Sequence, residues 1–595
     1  MASKATDETT NNDTIQIDAA IRGDECPDLG EPSFDDAPSV AAGSDPGQDR
    51  PMTTIQIDSS AFEIAKAIDE AIAADVLGGY SKVFLYAGKL VHIGEIETMP
   101  GEPKTVQMLE VTAEFLTIYL SQFTTFLEEK DTKYGPKIKT VHCPKQVAQQ
   151  YLATKGWPSK VPPLMGIVTT PTMRRDGSLL QEPGYDPASH LYYHPTCDVP
   201  PILAEPSRED AEKALGQIRH MLRDFPYVNE EAEAVTVSAI LTGIVRRTMR
   251  TAPLHAITAS TPNTGKSLSA DIVTMIATGE EMRPINFSYN QEEMGKRFDA
   301  MYRMGLPCIT IDNVEGQFEG ESICSALTSP TLVGRTLGKS EMNTSYTNVL
   351  FMLTGNNLVL KGDITSRAIL CTMDAGMENP GERRFDWDIR KYTQEHRGEL
   401  VHAALTVMRA YRVYRENGGQ APDIVNFARM EDWQTTVREP LVWLGMADPY
   451  DTAELIAAND PVKQMLGTIF VLAWDWSKGK TFTAKELIEA PKIVGGRISA
   501  EAETKQELIE ILEASVSPKA GLNPKTMGNW LSKYKNRITN GLRIEEAGTY
   551  QGTMQWRIVD VEGRTQPAAT VEPTKPTGSA GVNNTKPTTQ QLRLV

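Results

Sequence analysis

Residues 254–279 read LHAITASTPNTGKSLSADIVTMIATG, and few folds accommodate that run. Leu254 to Ser260 is apolar and strand-compatible. Leu268, Ile272, Met275 and Ile276 then recur at helical spacing, and Gly279 supplies a stop. Between strand and helix stands a polar turn carrying Gly265, Lys266 and Ser267. A buried strand running through such a turn directly into a helix predicts a parallel α/β sheet with the turn at its edge.

The turn has the outline of a phosphate-binding loop, G-x-x-x-x-G-K-S/T. Ser260 stands where the first glycine is usual, and Asn263 replaces another. Asparagine is the non-glycine residue that best tolerates positive φ, so the turn stays feasible. Gly265 permits close backbone approach to phosphate, Lys266 has the reach for the β and γ phosphates, and the Ser267 hydroxyl suits Mg²⁺. Ser260, Asn263, Thr264, Gly265, Lys266, Ser267 and Leu268 are therefore the expected ATP contacts.

Downstream, LPCITIDNVEG (residues 306–316) is an apolar run ending in Asp312, the carboxylate expected to hold Mg²⁺ with Ser267. Its neighbour is Asn313, a poor base, which leaves Glu315 or the Glu292/Glu293 pair to orient water. A third apolar run, NVLFMLTGNN (348–357), ends in amides, with Asn356 placed to sense the γ-phosphate. Arg367 follows in GDITSRAIL and is expected to reach a neighbouring subunit's ATP. Lys266, Asp312, Asn356 and Arg367 make up the expected catalytic set.

That order of motifs resembles the AAA+/superfamily 3 helicase core, especially the ATPase region of phage and prophage primase-helicase proteins. The resemblance rests on GYDPASHLYYHPT, the run from Ala252 to Gly279, ITIDNVEG, TLVGRTLGKSE, LTGNNLVLKGDITSRAIL and RRFDWDIRKY, and covers roughly residues 160–450. It implies a helicase or translocase that works as a ring, expected to be a hexamer. It also implies that LVGRTLGKSEM forms a pore hairpin, with Arg335 and Lys339 gripping the DNA backbone in a salt-sensitive, sequence-independent way. Ser260, Asn263 and Asn313 depart from the usual pattern and bear on turnover more than on nucleotide binding.

Around this core the organisation expected is an acidic disordered tail (1–55), an N-terminal α+β domain (60–204), the P-loop AAA+-like core (205–450), a winged-helix-like module (460–560) and a disordered Thr/Pro-rich tail (563–595). The fold class is thus α/β with appended modules. Thr14–Ala20 (TIQIDAA) recurs as Thr54–Ser60 (TIQIDSS), either a duplicated docking peptide or chance. Helical patterns are read in FEIAKAIDEAIAADVL and LEVTAEFLTIYLSQFTTFLEE, and strands in KVFLYAGKLVHIG. Asp176-Gly177 signals a hairpin turn. In the C-terminal module, Thr483-x-x-Glu486 is a capping box, NPKTMGNWLSKYKN a lysine-bearing helix, and GLRIEEAGTYQGTMQWRIVD a hairpin around Gly552. Helices followed by a wing suit DNA or a protein partner.

The net charge of −18 does not exclude nucleic acid. Residues 1–50 hold 12 acids and 3 bases, half of the excess, and binding depends on the local field. Six scattered cysteines form no C-x-x-C pair, against a zinc finger or a disulfide framework. Residues 60–200 show no acidic triad of a primase, so a separate primase or polymerase is an expected partner beside single-stranded or forked DNA. The apolar runs are too short to span a bilayer and no signal peptide is evident, which suggests a cytoplasmic protein, in the bacterial host if phage-encoded. The competing reading is a replication initiator or loader that uses ATP as a switch and binds DNA without unwinding it.

Overall fold

The computed structural model describes residues 50–97, 104–154, 158–335, 342–491, 499–516 and 521–562. The expected tails fall outside these residues, apart from a correction at 53–55. Thr53–Gln56 forms β1, so folded chain begins inside the stretch read as tail. Ile55 explains why: it is 2% exposed, packed in a core with Ile68, Phe84, Leu116 and Phe126. This strand comes from the second TIQID copy; the first copy lies outside the described residues.

The chain is mixed α/β with several sheets. After β1 come α1 (Ala61–Leu77), β2 (Val83–Tyr86), β3 (Lys89–Ile96), β4 (Thr105–Glu110), α2 (Ala113–Leu120), β5 (Thr124–Thr132), β6 (Gly135–Val141) and α3 (Lys145–Leu152). Strands β2, β3 and β4 form an antiparallel sheet, and β1-β5-β6 a second one in which β1 runs parallel to β5. The helix read across LEVTAEFLTIYLSQFTTFLEE is shorter than expected. It stops at Leu120, and Thr124–Thr132 pairs with β1 and β6 instead.

Five short strands follow: β7 (Gly166–Val168), β8 (Thr172–Met173), β9 (Leu179–Leu180), β10 (Gly184–Asp186) and β11 (Leu191–Tyr193). The turn at Asp176-Gly177 joins β8 to β9, with the Asp176 carboxylate accepting from Ser178 N at 2.9 Å.

The central layer starts with α4 (Arg208–Leu222) and α5 (Glu230–Val245). Helix α5 is apolar on nearly every side because it is buried on nearly every side, packed on the strands and helix that follow. These are β12 (Leu254–Ala259), α6 (Lys266–Thr278), β13 (Ile285–Asn286), α7 (Gln291–Met304), β14 (Cys308–Phe318), α8 (Glu321–Thr328), β15 (Thr331–Arg335), β16 (Met342–Tyr346), β17 (Leu350–Leu360), β18 (Ala368–Met373), α9 (Ile389–Glu395) and α10 (Arg397–Glu416). A five-stranded sheet in the order β13-β14-β17-β12-β18 is parallel throughout. All five C-terminal strand ends therefore share one edge, where α/β sheets present their ligand crevices.

His255 lies within β12 with no exposed surface, its Nε2 3.1 Å from the Ser238 hydroxyl. Burial holds its pKa down to about 3. The unfolded imidazole titrates near ~6.5, so the folded state refuses a proton that the unfolded chain accepts. Stability from the neutral ring is complete above that value and is lost as pH falls below it, at up to ~1.4 kcal/mol per pH unit. Between about pH 7 and 5, urea midpoints of the unaltered protein are expected to drop more steeply than those of His255→Leu; parallel slopes would remove His255 as the cause.

Beyond α10, Pro461–Ser477, Ala484–Ile488, Ala500–Val516 and Pro524–Tyr534 are helices. They pack with a four-stranded sheet ordered β19 (Phe482–Thr483), β22 (Thr553–Asp560), β21 (Leu542–Tyr550) and β20 (Ile538–Thr539). Thr483 and Glu486 form the reciprocal cap, Gln551-Gly552 turns the β21–β22 hairpin, and Trp556 is buried. Among the described residues no helix is long and apolar enough to cross a membrane.

Candidate functional site

At the C-terminal end of β12 the chain turns through residues 260–265 into α6. Asn263 adopts φ 58° and Gly265 φ 113°, the two left-handed positions that let the turn close. The Thr264 hydroxyl donates to Thr261 O at 2.7 Å, tying the loop to itself. The helix then begins at Lys266, so the N–H groups of its first turn lack intrahelical acceptors and form a natural seat for an anion. Lys266 is only 8% exposed, and its Nζ donates to Thr261 O at 2.9 Å. Burial depresses its pKa, and the Asp312 carboxylate opposes that shift.

Asp312 reaches this loop from β14, although β17 lies between β14 and β12 in the sheet. The Ser267 hydroxyl donates to Asp312 Oδ1 at 2.8 Å, and the Thr354 hydroxyl donates to the same oxygen. The β14 ladder slips between Ile311 and Val314, and Asn313 takes φ 57° while its N–H donates to Thr354 Oγ1 at 3.2 Å. This bulge takes Asp312 out of the β14–β17 register, while its backbone stays paired with Asn286 of β13, and aims its carboxylate at the loop. It also drives Val314 O against β17: a Cβ on Gly355 would sit 2.2 Å from that oxygen. A hydroxyl and a carboxylate oxygen converging in this way are the hard donors that Mg²⁺ prefers, so the pair fits that ion.

Asn356 pairs with Ala259 in register, at the level where the loop leaves β12. Its Oδ1 is buried with no hydrogen-bond partner among the described residues. Glu315 pairs with Asn356 on the other side and is exposed. Glu292 and Glu293 are already engaged on α7, by Lys296 at 2.6 Å and by Arg297 respectively. Of the acids considered for orienting water, Glu315 is the one left free of an ion pair among the described residues. Ser260 is exposed at the start of the loop, and Leu268 is half-buried.

Arg367 is not brought to this loop. Leu254 N donates to Arg367 O at the start of β12, the opposite edge of the sheet. Five residue steps along β12 separate the two ends, about 17 Å at a strand's rise. Arg367 pairs with Asp363 at 3.2 Å and lines a polar cleft of about 660 Å³ with Glu319, Lys361 and Arg429. Arg335 closes β15, its backbone paired with Met342, whereas Lys339 lies outside the described residues. The base of this β15–β16 hairpin is held from below. Buried Arg246 donates to the carbonyls of Thr347 (2.8 Å) and Val349 (3.0 Å), and buried Arg247 to Asn348 Oδ1 (3.0 Å).

One feature escaped sequence reasoning. A cavity of about 290 Å³ opens beside Thr264, Gly265 and Leu268, walled by Phe225, Trp387 and Ile389. Its two sides are joined where Trp387 Nε1 donates to Asp224 Oδ2 at 2.6 Å. The aromatic residues of DFPY and RRFDWD were the available signal.

No protein-family pattern matches the chain, and no curated protein matches it. Among solved structures it is similar to one described as the A-form apo structure of the NrS-1 C-terminal region, at 10% identity and a TM-score of 0.33. The match spans 82% of this chain and 98% of that one. A likeness at that level does not establish a common fold.

Proposed function

We propose that residues 205–450 form an ATP-hydrolysing core of the AAA+/superfamily 3 kind. In this reading the protein is a DNA helicase or translocase in phage or mobile-element replication, acting as a ring, expected to be a hexamer. The observation that carries the reading is the 2.8 Å contact between Ser267 and Asp312, which joins a phosphate-loop-like turn to an aspartate at the bulge within β14, across an intervening strand.

Ser267 and Asp312 are the residues that would hold a magnesium ion, which when bound neutralises triphosphate charge. Gly265 and the first turn of α6 cradle the phosphates. Lys266 exchanges its Thr261 carbonyl for phosphate oxygens, and Leu268 borders the apolar cavity that takes the base. Asn356, with its spare amide oxygen, and Glu315 position water. Arg367 lies too far from its own loop to serve it, which suits a residue that completes a neighbour's site. Arg335 and Lys339 belong to the hairpin that contacts single-stranded or forked DNA, and a separate primase or polymerase supplies the synthesis.

Asn313 favours a second reading, an ATP-switched initiator or loader, because no acid stands beside Asp312 to act as base. Strand displacement on a forked duplex, with Arg367→Ala subunits mixed into unaltered protein, tests both. A motor ring displaces the strand, and an equal mixture retains far less than half of that activity because each poisoned interface stalls a ring. Strictly proportional loss would mean that subunits work alone. ATP-dependent DNA binding with no strand displaced selects the switch.

A further inference from the structure

Strands β5 and β6 run on as a two-stranded ribbon past the sheet they share with β1. Beyond Leu127 on one strand and Val141 on the other, no residue of the pair is buried. The turn at its tip is Lys133-Tyr134. Thr132 Oγ1 fixes that turn by donating to Gly135 O at 2.7 Å and accepting from Tyr134 N at 3.3 Å. Tyr134 is 100% exposed, which is unusual for a ring with this much apolar area held on an ordered turn.

Charge on the ribbon is sorted by face. In register, Lys130 stands opposite Lys137 and Glu128 opposite Lys139, and these four residues share one face. The other face carries Glu129 opposite Ile138 and Asp131 opposite Pro136. Like charges directly opposite one another are unfavourable in a sheet. Lys130 finds relief in Glu128 at 3.2 Å, but Lys133, Lys137 and Lys139 have no ion-pair partner among the described residues. A lysine-rich edge strand on its own would be a guard against aggregation. That role requires neither a facing lysine pair nor an exposed tyrosine set between lysines at the tip.

We propose that the β5–β6 ribbon is a nucleic-acid contact that binds single strands, with Lys133, Lys137 and Lys139 on the phosphates and Tyr134 stacked on an unpaired base. Cationic tracks interleaved with aromatic rings are what single strands recognise, since every base offers a face and every linkage a charge. This contact lies outside the ATPase core and goes beyond the function proposed above, because it requires no nucleotide.

The test is fluorescence anisotropy of the full chain without ATP, on a labelled oligo-dT and on a blunt duplex, over a range of salt. Lys133→Glu/Lys137→Glu/Lys139→Glu is expected to weaken oligo-dT binding at least about tenfold and to lower the log–log salt slope by about 2, from three lost contacts on a single strand. Tyr134→Ala is expected to weaken oligo-dT binding by about fivefold or more, with little effect on the duplex. Lys266→Ala retains this binding, so a failed ATPase assignment leaves the ribbon testable. Unchanged affinity and slope in the triple variant would overturn the proposal. So would losses confined to the duplex, or losses seen only with phosphatidylserine vesicles.

Discussion

Replacing Lys266 with alanine is expected to cut DNA-stimulated ATP hydrolysis by about a thousandfold, a loss of the size seen when one preorganised charge is removed from a reacting centre. The ammonium is largely withdrawn from water, its pKa is depressed by burial, and its hydrogen bond goes to a loop carbonyl, Thr261 O. A cation held in this way gains much from a phosphate oxygen and little from its resting partner, so its contribution should appear chiefly in turnover. The first turn of α6 stays in place without it, and nucleotide binding measured by calorimetry weakens less than turnover does. Ser267→Ala separates the metal-holding role from the lysine's, since it removes the Asp312 contact and leaves the ammonium. Hydrolysis at the normal rate in Lys266→Ala would sink the assignment of this loop.

A large effect on stability is expected at Gly355. An alanine methyl there would meet Val314 O at 2.2 Å and Val314 C at 3.2 Å, and both are backbone atoms that cannot swing aside. Either β14 moves away from β17 or the bulge flattens, at a cost of about 3 kcal/mol. Calorimetric melting of Gly355→Ala is expected to occur roughly 6–12 °C lower. Because the bulge also aims Asp312 at Ser267, nucleotide affinity should fall with it. Gly216→Ala is the control: it lies on the exposed side of α4 with nothing near its missing methyl, and it is expected to hold or raise the melting point. Equal melting of the two variants would mean that the strands tolerate the intrusion.

Local chemistry made parts of this fold readable. The strand, turn and helix of residues 254–279 follow from apolar spacing, and Asn263 occupies the positive-φ position that its side chain tolerates. The cap at Thr483 and the hairpin at Gly552 are written within a few neighbouring residues. What required partners far along the chain was not readable. TTFLEE looks helical beside α2 but becomes β5 because β1 and β6 flank it, and β1 itself was hidden in a polar stretch by having a single isoleucine, Ile55. Asp312 was recognisable as an acid ending an apolar run, but the bulge that aims it depends on Gly355 of another strand. Phe225 and Trp387 meet across the cavity only because the loop after α4 and the segment before α9 converge on one side of Gly265. The separation of Arg367 from that loop depended on which end of the sheet begins β18.

The paired guanidinium groups beneath the β15–β16 hairpin carry a mechanical consequence. Thr347, Asn348 and Val349 are bolted by hydrogen bonds from Arg246 and Arg247, which project from the end of α5. A root fastened at three successive residues does not act as a hinge. Any displacement of β15 and β16 must be transmitted as a rigid stroke from the layer that carries β17, in the way a piston rod follows its crosshead.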